Sequence, residues 1–219
     1  MNMKQQGYAS LMPIGPFSSE EARALQTLAL GHPIIAPILA KWPRLGLPDA
    51  WLSGSIMAQA RWNEAFGLNP LHGIADADII YFDPTDTSAE EEERTAARIA
   101  AILADTPIRI DTKNQARVHQ WYARKFGYDI APYRSSTEAL TTFPTTAAAV
   151  GIRCESRFEI AAPFGLADLL LPLVRANATQ ITPATYAAKA ARWQMFWPDL
   201  RILPWDEAAS YDACHGGER

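Results

Sequence analysis

Asp76-Ala77-Asp78-Ile79-Ile80-Tyr81-Phe82-Asp83 is the stretch on which the reading of this chain turns. Ala77 to Phe82 is apolar on both alternating faces, the pattern of a strand inside a sheet and covered on both sides. The two leading aspartates belong at the start of that strand, because a carboxylate further in would leave an unpaired charge in the core. Residues two apart on a strand point the same way, about 6–7 Å from each other. Two carboxylates so placed can hold one or two divalent ions against a nucleotide's phosphates. With 24 acidic residues in 219 positions, about two or three such pairs arise by chance, so the surrounding segments carry the argument. In aspartate-nucleophile phosphatases and in glycosyltransferases with an Asp-x-Asp motif the apolar strand precedes the acids. Here it follows them, which counts against both classes.

Upstream lies Trp51-Leu52-Ser53-Gly54-Ser55, a short strand over Ala50–Leu52 running into a bend and then a helix over Ser55–Phe66 that Gly67 closes. Gly54 allows a tight turn and close approach of a ligand, while the Ser55 hydroxyl and the free helix amides suit a phosphate. An ordinary helix cap reads the same way. Downstream, Ser88 starts a helix with Glu91 three residues on, and Ile99, Ile102 and Leu103 form its apolar stripe. The run Glu90 to Glu93 answers the positive end of that helix. Ile108 to Thr112 is a second strand, on which Asp111 is the candidate third carboxylate; a strand-end aspartate capping the next helix is the competing reading. Asp83 has the wrong parity to join Asp76 and Asp78. A helix over Asn114–Phe126 stops at Gly127. Lys113, Asn114 and Arg117 lie at its mouth, where they either neutralise a triphosphate or form a solvated basic face behind a structural Asn cap. His119 reads as structural, and His32, His72 and His215 have no partner spacing.

The flanks complete an α+β pattern with a mixed sheet. Ser18 and Glu21 make a capping box for a helix over Ser18–Leu30, and His32-Pro33 opens a weaker helical piece. Thr146–Arg153 and Arg157–Ala161 read as two strands around a polar turn, and an apolar helix follows Pro163-Phe164-Gly165. The last helix starts at Thr182-Pro183 and aligns Tyr186, Ala190, Trp193 and Trp197 on one core-facing side. Residues 1–17 are expected as an arm, 18–205 as the domain, and 206–219 as a flexible tail.

Composition bounds the partners. Nearly half the residues are apolar and a fifth charged, which excludes disorder and supports a real core. The net charge of −4 offers no cationic surplus for releasing counterions, and so argues against a long nucleic acid. No segment reaches the ~20 apolar residues of a membrane span. The first residues lack the apolar core of a secretory signal. Two cysteines, Cys154 and Cys214, are too few for a scaffold and fit a reducing cytoplasm.

The order Gly54-Ser55, Asp76-x-Asp78 and Asp111 resembles the nucleotidyltransferase superfamily built on the DNA polymerase β fold. More closely, the chain is similar to a bacterial nucleotidyltransferase-like family. The resemblance rests on Ser53-Gly54-Ser55 with Trp62, on Asp76 to Asp83, and on Lys113 to His119. Ala149 to Arg153, Ala162 to Leu169 and Trp197-Pro198 extend it over about residues 45–200. The chain departs from the superfamily in the twenty residues between Ser55 and Asp76 and in the polar Thr112. What the resemblance implies is an α+β nucleotidyltransferase-like mixed sheet flanked by helices, with helical additions at both ends. It also implies a transfer dependent on Mg²⁺ or Mn²⁺, in which Asp76, Asp78 and Asp111 are catalytic metal ligands. Gly54, Ser55, Lys113, Asn114 and Arg117 would then hold a nucleoside triphosphate. A nucleoside monophosphate would pass to a hydroxyl of a small-molecule or protein acceptor. The alternatives are a non-catalytic nucleotide-binding or regulatory module of the same fold, a phosphohydrolase using the same carboxylates, and an interaction protein.

Overall fold

The computed structural model describes residues 13–211. Its strands are β1 (Pro13–Ile14), β2 (Trp51–Ser53), β3 (Asp76–Tyr81), β4 (Arg109–Asn114), β5 (Gly151–Cys154), β6 (Phe158–Ala161), β7 (Leu173–Val174) and β8 (Arg201–Ile202). The helices are α1 (Ser19–Gly31), α2 (Ile35–Ala40), α3 (Ile56–Ala65), α4 (Ala89–Ile102), α5 (Val118–Phe126), α6 (Ser136–Leu140), α7 (Ala167–Leu170) and α8 (Pro183–Gln194). Six strands form one mixed sheet in the order β1-β6-β5-β2-β3-β4. β3 and β4 run parallel, joined through α4, while β2 pairs antiparallel with both β3 and β5. The expected α+β architecture is what the chain adopts.

Register sorts the side chains onto two faces, because paired residues point the same way. Leu52, Ala77, Ile79, Ile152 and Ile160 enter the main core with the buried residues of α1, α2 and α3 and with Ile99 of α4. The opposite face carries a smaller apolar patch of Trp51, Ile80 and Ala161 with Leu140 of α6. On that second face, Ser53 pairs with Asp78, Asp78 with Asp111, Asp76 with Arg109, and Ile80 with Lys113. A polar strip therefore runs along the end of the sheet face that is not filled by the main core.

The helix ends follow local chemistry. Ser18 and Glu21 form the reciprocal capping box, with bonds of 2.8 and 3.2 Å, and Ser88 caps α4 through the Glu91 amide. Thr182 caps α8 ahead of Pro183. α8 docks on α3 through aromatic edges: the Trp193 and Trp197 rings each lie 5.1 Å from Trp62. Trp197 Nε1 donates to Asn63 Oδ1 at 2.7 Å, and the Asn63 amide donates to the carbonyls of Pro70 and His72. This buried lock ties the C-terminal end of α8 to α3.

Five segments differ from the sequence expectation. β4 continues past Thr112 to Asn114, and the helix after it begins only at Val118, after a 3₁₀ turn over Gln115–Arg117. Residues 146–148 form a turn and the strand begins only at Gly151, and the helix after Gly165 is four residues long. Pro13 and Ile14 of the expected arm add an edge strand parallel to β6. The start of the expected tail is tied down: Trp205–Glu207 forms a 3₁₀ turn and Ala209 bridges to Asn177. The rest of that tail, with Cys214 and His215, lies outside the described residues. Among the described residues no helix is long and apolar enough to cross a membrane.

Candidate active site

Asp78 is the centre of the site. It stands second on its face of β3, half-buried, between Ser53 of β2 and Asp111 of β4 in register. The Gly54 bend, at φ +79°, closes over it so tightly that a Cβ on Gly54 would overlap Asp78 Oδ2. Burial pushes the Asp78 carboxyl up to about 6, and the neighbouring Asp76 and Asp111 charges push the same way. Ser53 beside it is fully buried, and its hydroxyl has no hydrogen-bond partner among the described residues. Orphaned buried hydroxyls are costly and call for a partner that the protein does not supply.

α3 starts at the same bend. Ser55 is its cap residue, yet the Ser55 side chain makes no capping bond, which leaves the hydroxyl and the first amides of α3 unspent by side chains. The positive end of α3 thus lies one residue from the backbone that touches Asp78.

Asp76 and Asp111 share the face with Asp78, but cations engage both. Arg109 donates to Asp76 Oδ2 at 2.6 Å and its other terminal nitrogen lies 3.8 Å from Asp111. Lys113, with its side chain half exposed, reaches 3.6 Å from Asp111 and 3.7 Å from Glu92. Among the described residues no three His, Cys, Asp or Glu side chains are grouped closely enough to hold one metal ion. The donor set is nevertheless all carboxylate, the chemistry that Mg²⁺ and Mn²⁺ take. Asp78, pressed against the bend beside an orphaned hydroxyl, is the carboxylate of the set that could take a hard cation.

Of the residues expected to bind nucleotide, Gly54, Ser55 and Lys113 lie in this strip, whereas Asn114 and Arg117 do not. The longer β4 puts Asn114 on the opposite, core-facing side, one step out of phase with Lys113. Its side chain is fully used, accepting from the amides of Ala116 and Asp83 and donating to the Asp83 carbonyl. Arg117 is turned inward to Glu92 at 2.8 Å and to the Thr87 carbonyl at 3.0 Å. Glu92, nearly buried, also accepts from the Asn114 amide, so one member of the acidic run ties α4 to the end of β4. Both residues are structural. Thr112 follows the same parity and lies buried on the core side. His119 keeps a buried Nδ1 without a partner among the described residues.

One residue of the site was not anticipated. Lys189, half-buried on α8, has its Nζ 4.6 Å from the Trp193 ring centroid. Burial lowers its ammonium to about 8, Arg192 adds to that, and Asp78 and Asp76 pull the other way. The charge of Lys189 is thus felt at Asp78 and Asp76, on a helix held to α3 by the tryptophan contacts.

A strand, a Gly-Ser bend at a helix start, and paired strand-borne carboxylates on a mixed sheet define a nucleotidyltransferase fold. A solved structure described as revealing a CCA-adding enzyme head domain is similar to this chain, with a TM-score of 0.63 and 27% identity. The match covers 85% of this chain and 96% of that one. The chain belongs to a nucleotidyltransferase family, whose pattern matches residues 40–202. No curated protein matches it.

Proposed function

We propose that the protein moves a nucleoside monophosphate from a nucleoside triphosphate to a hydroxyl of a small-molecule or protein acceptor, with Mg²⁺ or Mn²⁺ bound. The observation that supports this most is the contact of Asp78 with the Gly54 bend, which puts a carboxylate, an orphaned serine hydroxyl and a helix start at one point. Asp78, Asp76 and Asp111 are the residues that would hold the ion, which when bound neutralises phosphate charge and lowers the pKa of an acceptor hydroxyl.

The chain's own groups do the rest. The Ser55 hydroxyl and the α3 amides bind the outer phosphates, and Lys189 opposes the charge that builds on them. Asp111 takes the proton of the acceptor hydroxyl as its oxygen bonds to the α-phosphorus. The bond from that phosphorus to the bridging oxygen breaks, and pyrophosphate leaves in line. The balance of charge favours an acceptor other than a long nucleic acid.

A second reading, a nucleotide-binding module without turnover, is favoured by the grip of Arg109 on Asp76 and Asp111. Calorimetric titration of ATP with and without Mg²⁺ separates these readings from the rest. Metal-dependent binding that Asp78→Asn abolishes supports a nucleotide site, and pyrophosphate release in the presence of a cell extract supports transfer. Identical isotherms for the two proteins would end both.

A further inference from the structure

Resting on that transferase reading, we propose that the acceptor is a small molecule with an apolar, ring-bearing body and a hydroxyl that reaches Asp111. A cavity of about 250 Å³ opens beside Asp78 and Asp111. No residue of β2, the Gly54 bend or α3 lines it, although Lys113 does, so it meets the carboxylates from the α5 side rather than from the bend. The two halves of an in-line transfer need such separate approaches.

The walls are rings: Trp121, Tyr122 and Phe126 from α5, Tyr128 and Tyr133 from the segment after it, and Phe143 beyond α6. Tyr122 packs against Phe126 at 4.4 Å and against Tyr128 at 5.4 Å between centroids. Their hydroxyls are tied to protein groups. Tyr122 and Tyr128 share a bond of 3.2 Å, and Tyr128 donates to the Gln180 carbonyl at 2.6 Å. Tyr133 bonds to Gln180 Oε1 at 3.1 Å and to Thr142 at 2.8 Å. Besides the carboxylates and Lys113, the polar lining is Gln115, Gln180, Thr142 and Thr185, and the rest of the wall is ring and aliphatic surface. It suits stacking and apolar contact.

Size and charge narrow the class. The volume lies below the ~300–1,000 Å³ of drug-sized sites, which limits the body to one or two rings. Of the cations here, Lys113 is shared between Asp111 and Glu92 and Lys125 lies over the Trp121 and Phe126 rings, and the net charge of −4 gives no surplus for a polynucleotide. The reaction is then ROH plus nucleoside triphosphate giving the RO-linked nucleoside monophosphate and pyrophosphate, with the hydroxyl proton passing to Asp111.

The test uses the full chain with 2-phenylethanol, tyrosol and indole-3-ethanol as probes, together with α-labelled ATP and Mg²⁺. Expected are NMR shift changes at Trp121, Tyr128 and Phe143 on adding the alcohols, and label on at least one alcohol with equimolar pyrophosphate. Thr185→Trp, in the cavity wall, should weaken alcohol binding tenfold or more and leave ATP–Mg²⁺ affinity unchanged, while Asp78→Asn weakens ATP–Mg²⁺ binding. If Thr185→Trp does not fold, Trp121→Ala, at a half-exposed wall position, is read in its place. Alcohol binding that ignores these substitutions, or that ATP alone displaces from the cavity, overturns the acceptor assignment and leaves the transferase reading standing. Label found only on RNA or on a protein does the same. Loss of any difference between the wild type and Asp78→Asn in ATP–Mg²⁺ binding, seen without alcohols, removes the reading underneath.

Discussion

Gly54 and Asp78 occupy space that only a glycine can share: with φ at +79°, any Cβ on Gly54 would sit inside the Asp78 carboxylate. Both the backbone angle and the contact forbid a side chain. Gly54→Ala is therefore expected to cost about 2 kcal/mol or more and to weaken Mg²⁺-dependent ATP binding at least tenfold. Urea denaturation and calorimetry on the same preparation check the two effects. Wild-type stability in the variant would show that the bend is looser than this geometry requires.

Asp78 itself is held at a cost. A carboxyl raised from 3.8 to about 6 on folding binds more protons folded than unfolded between those values. Stability from this group is thus present in acid and is lost as pH rises through about 6. Asp78→Asn removes the penalty, and the variant should be more stable than the wild type by about 2–3 kcal/mol at pH 8, with the gain gone below pH ~4. Thermal melts at both pH values, run without divalent metal, read this directly. A variant less stable at pH 8 would mean that nearby cations already offset the burial.

How far the sequence foretells the site depends on parity and distance along the chain. β3 and its aspartates were readable because an apolar run beginning after two acids can only start a buried strand. Asp111 is readable as a strand residue within Ile108 to Thr112, despite the polar Thr112 after it, and the register sets it beside Asp78. Asn114 and Arg117 were misplaced because Lys113 and Asn114 look too polar to continue a strand. What extends β4 is the buried Glu92, which binds the Asn114 amide and Arg117, a tertiary contact that local pattern does not carry. Lys189 was invisible for the same reason: its position depends on Trp62, Trp193 and Trp197 meeting across two helices. The aromatic cavity is likewise assembled from three separate segments.

Arg117 and Lys113 should separate cleanly when each is removed. Arg117 and Glu92 form a mostly buried pair, with side chains 13% and 8% exposed, and removing one partner of such a pair costs about 3–5 kcal/mol. Arg117→Met should lose that stability while its folded fraction binds ATP as the wild type does. Lys113→Ala, on an exposed side chain, should change stability by less than about 0.5 kcal/mol and weaken ATP about fivefold, the worth of roughly 1 kcal/mol of charge pairing. Denaturant titrations beside calorimetry distinguish the two patterns, and an exchange of them would return Arg117 to the nucleotide.

Lys189 gives the last prediction. Its positive charge lowers the Asp78 carboxyl against the burial and the two acidic neighbours that raise it. Lys189→Met keeps the apolar stem against Trp193 and deletes only the charge. Without that charge the Asp78 titration should move above 6, the direction that follows from removing a neighbour which favours the ionised form. An NMR titration of the Asp78 carboxyl carbon in metal-free protein reads the shift. ATP–Mg²⁺ binding should follow it, with its midpoint moving to higher pH while the melting temperature stays close to that of the wild type. If the midpoint stays still and only stability falls, Lys189 serves to pack α8 and has no part in the electrostatics of the site.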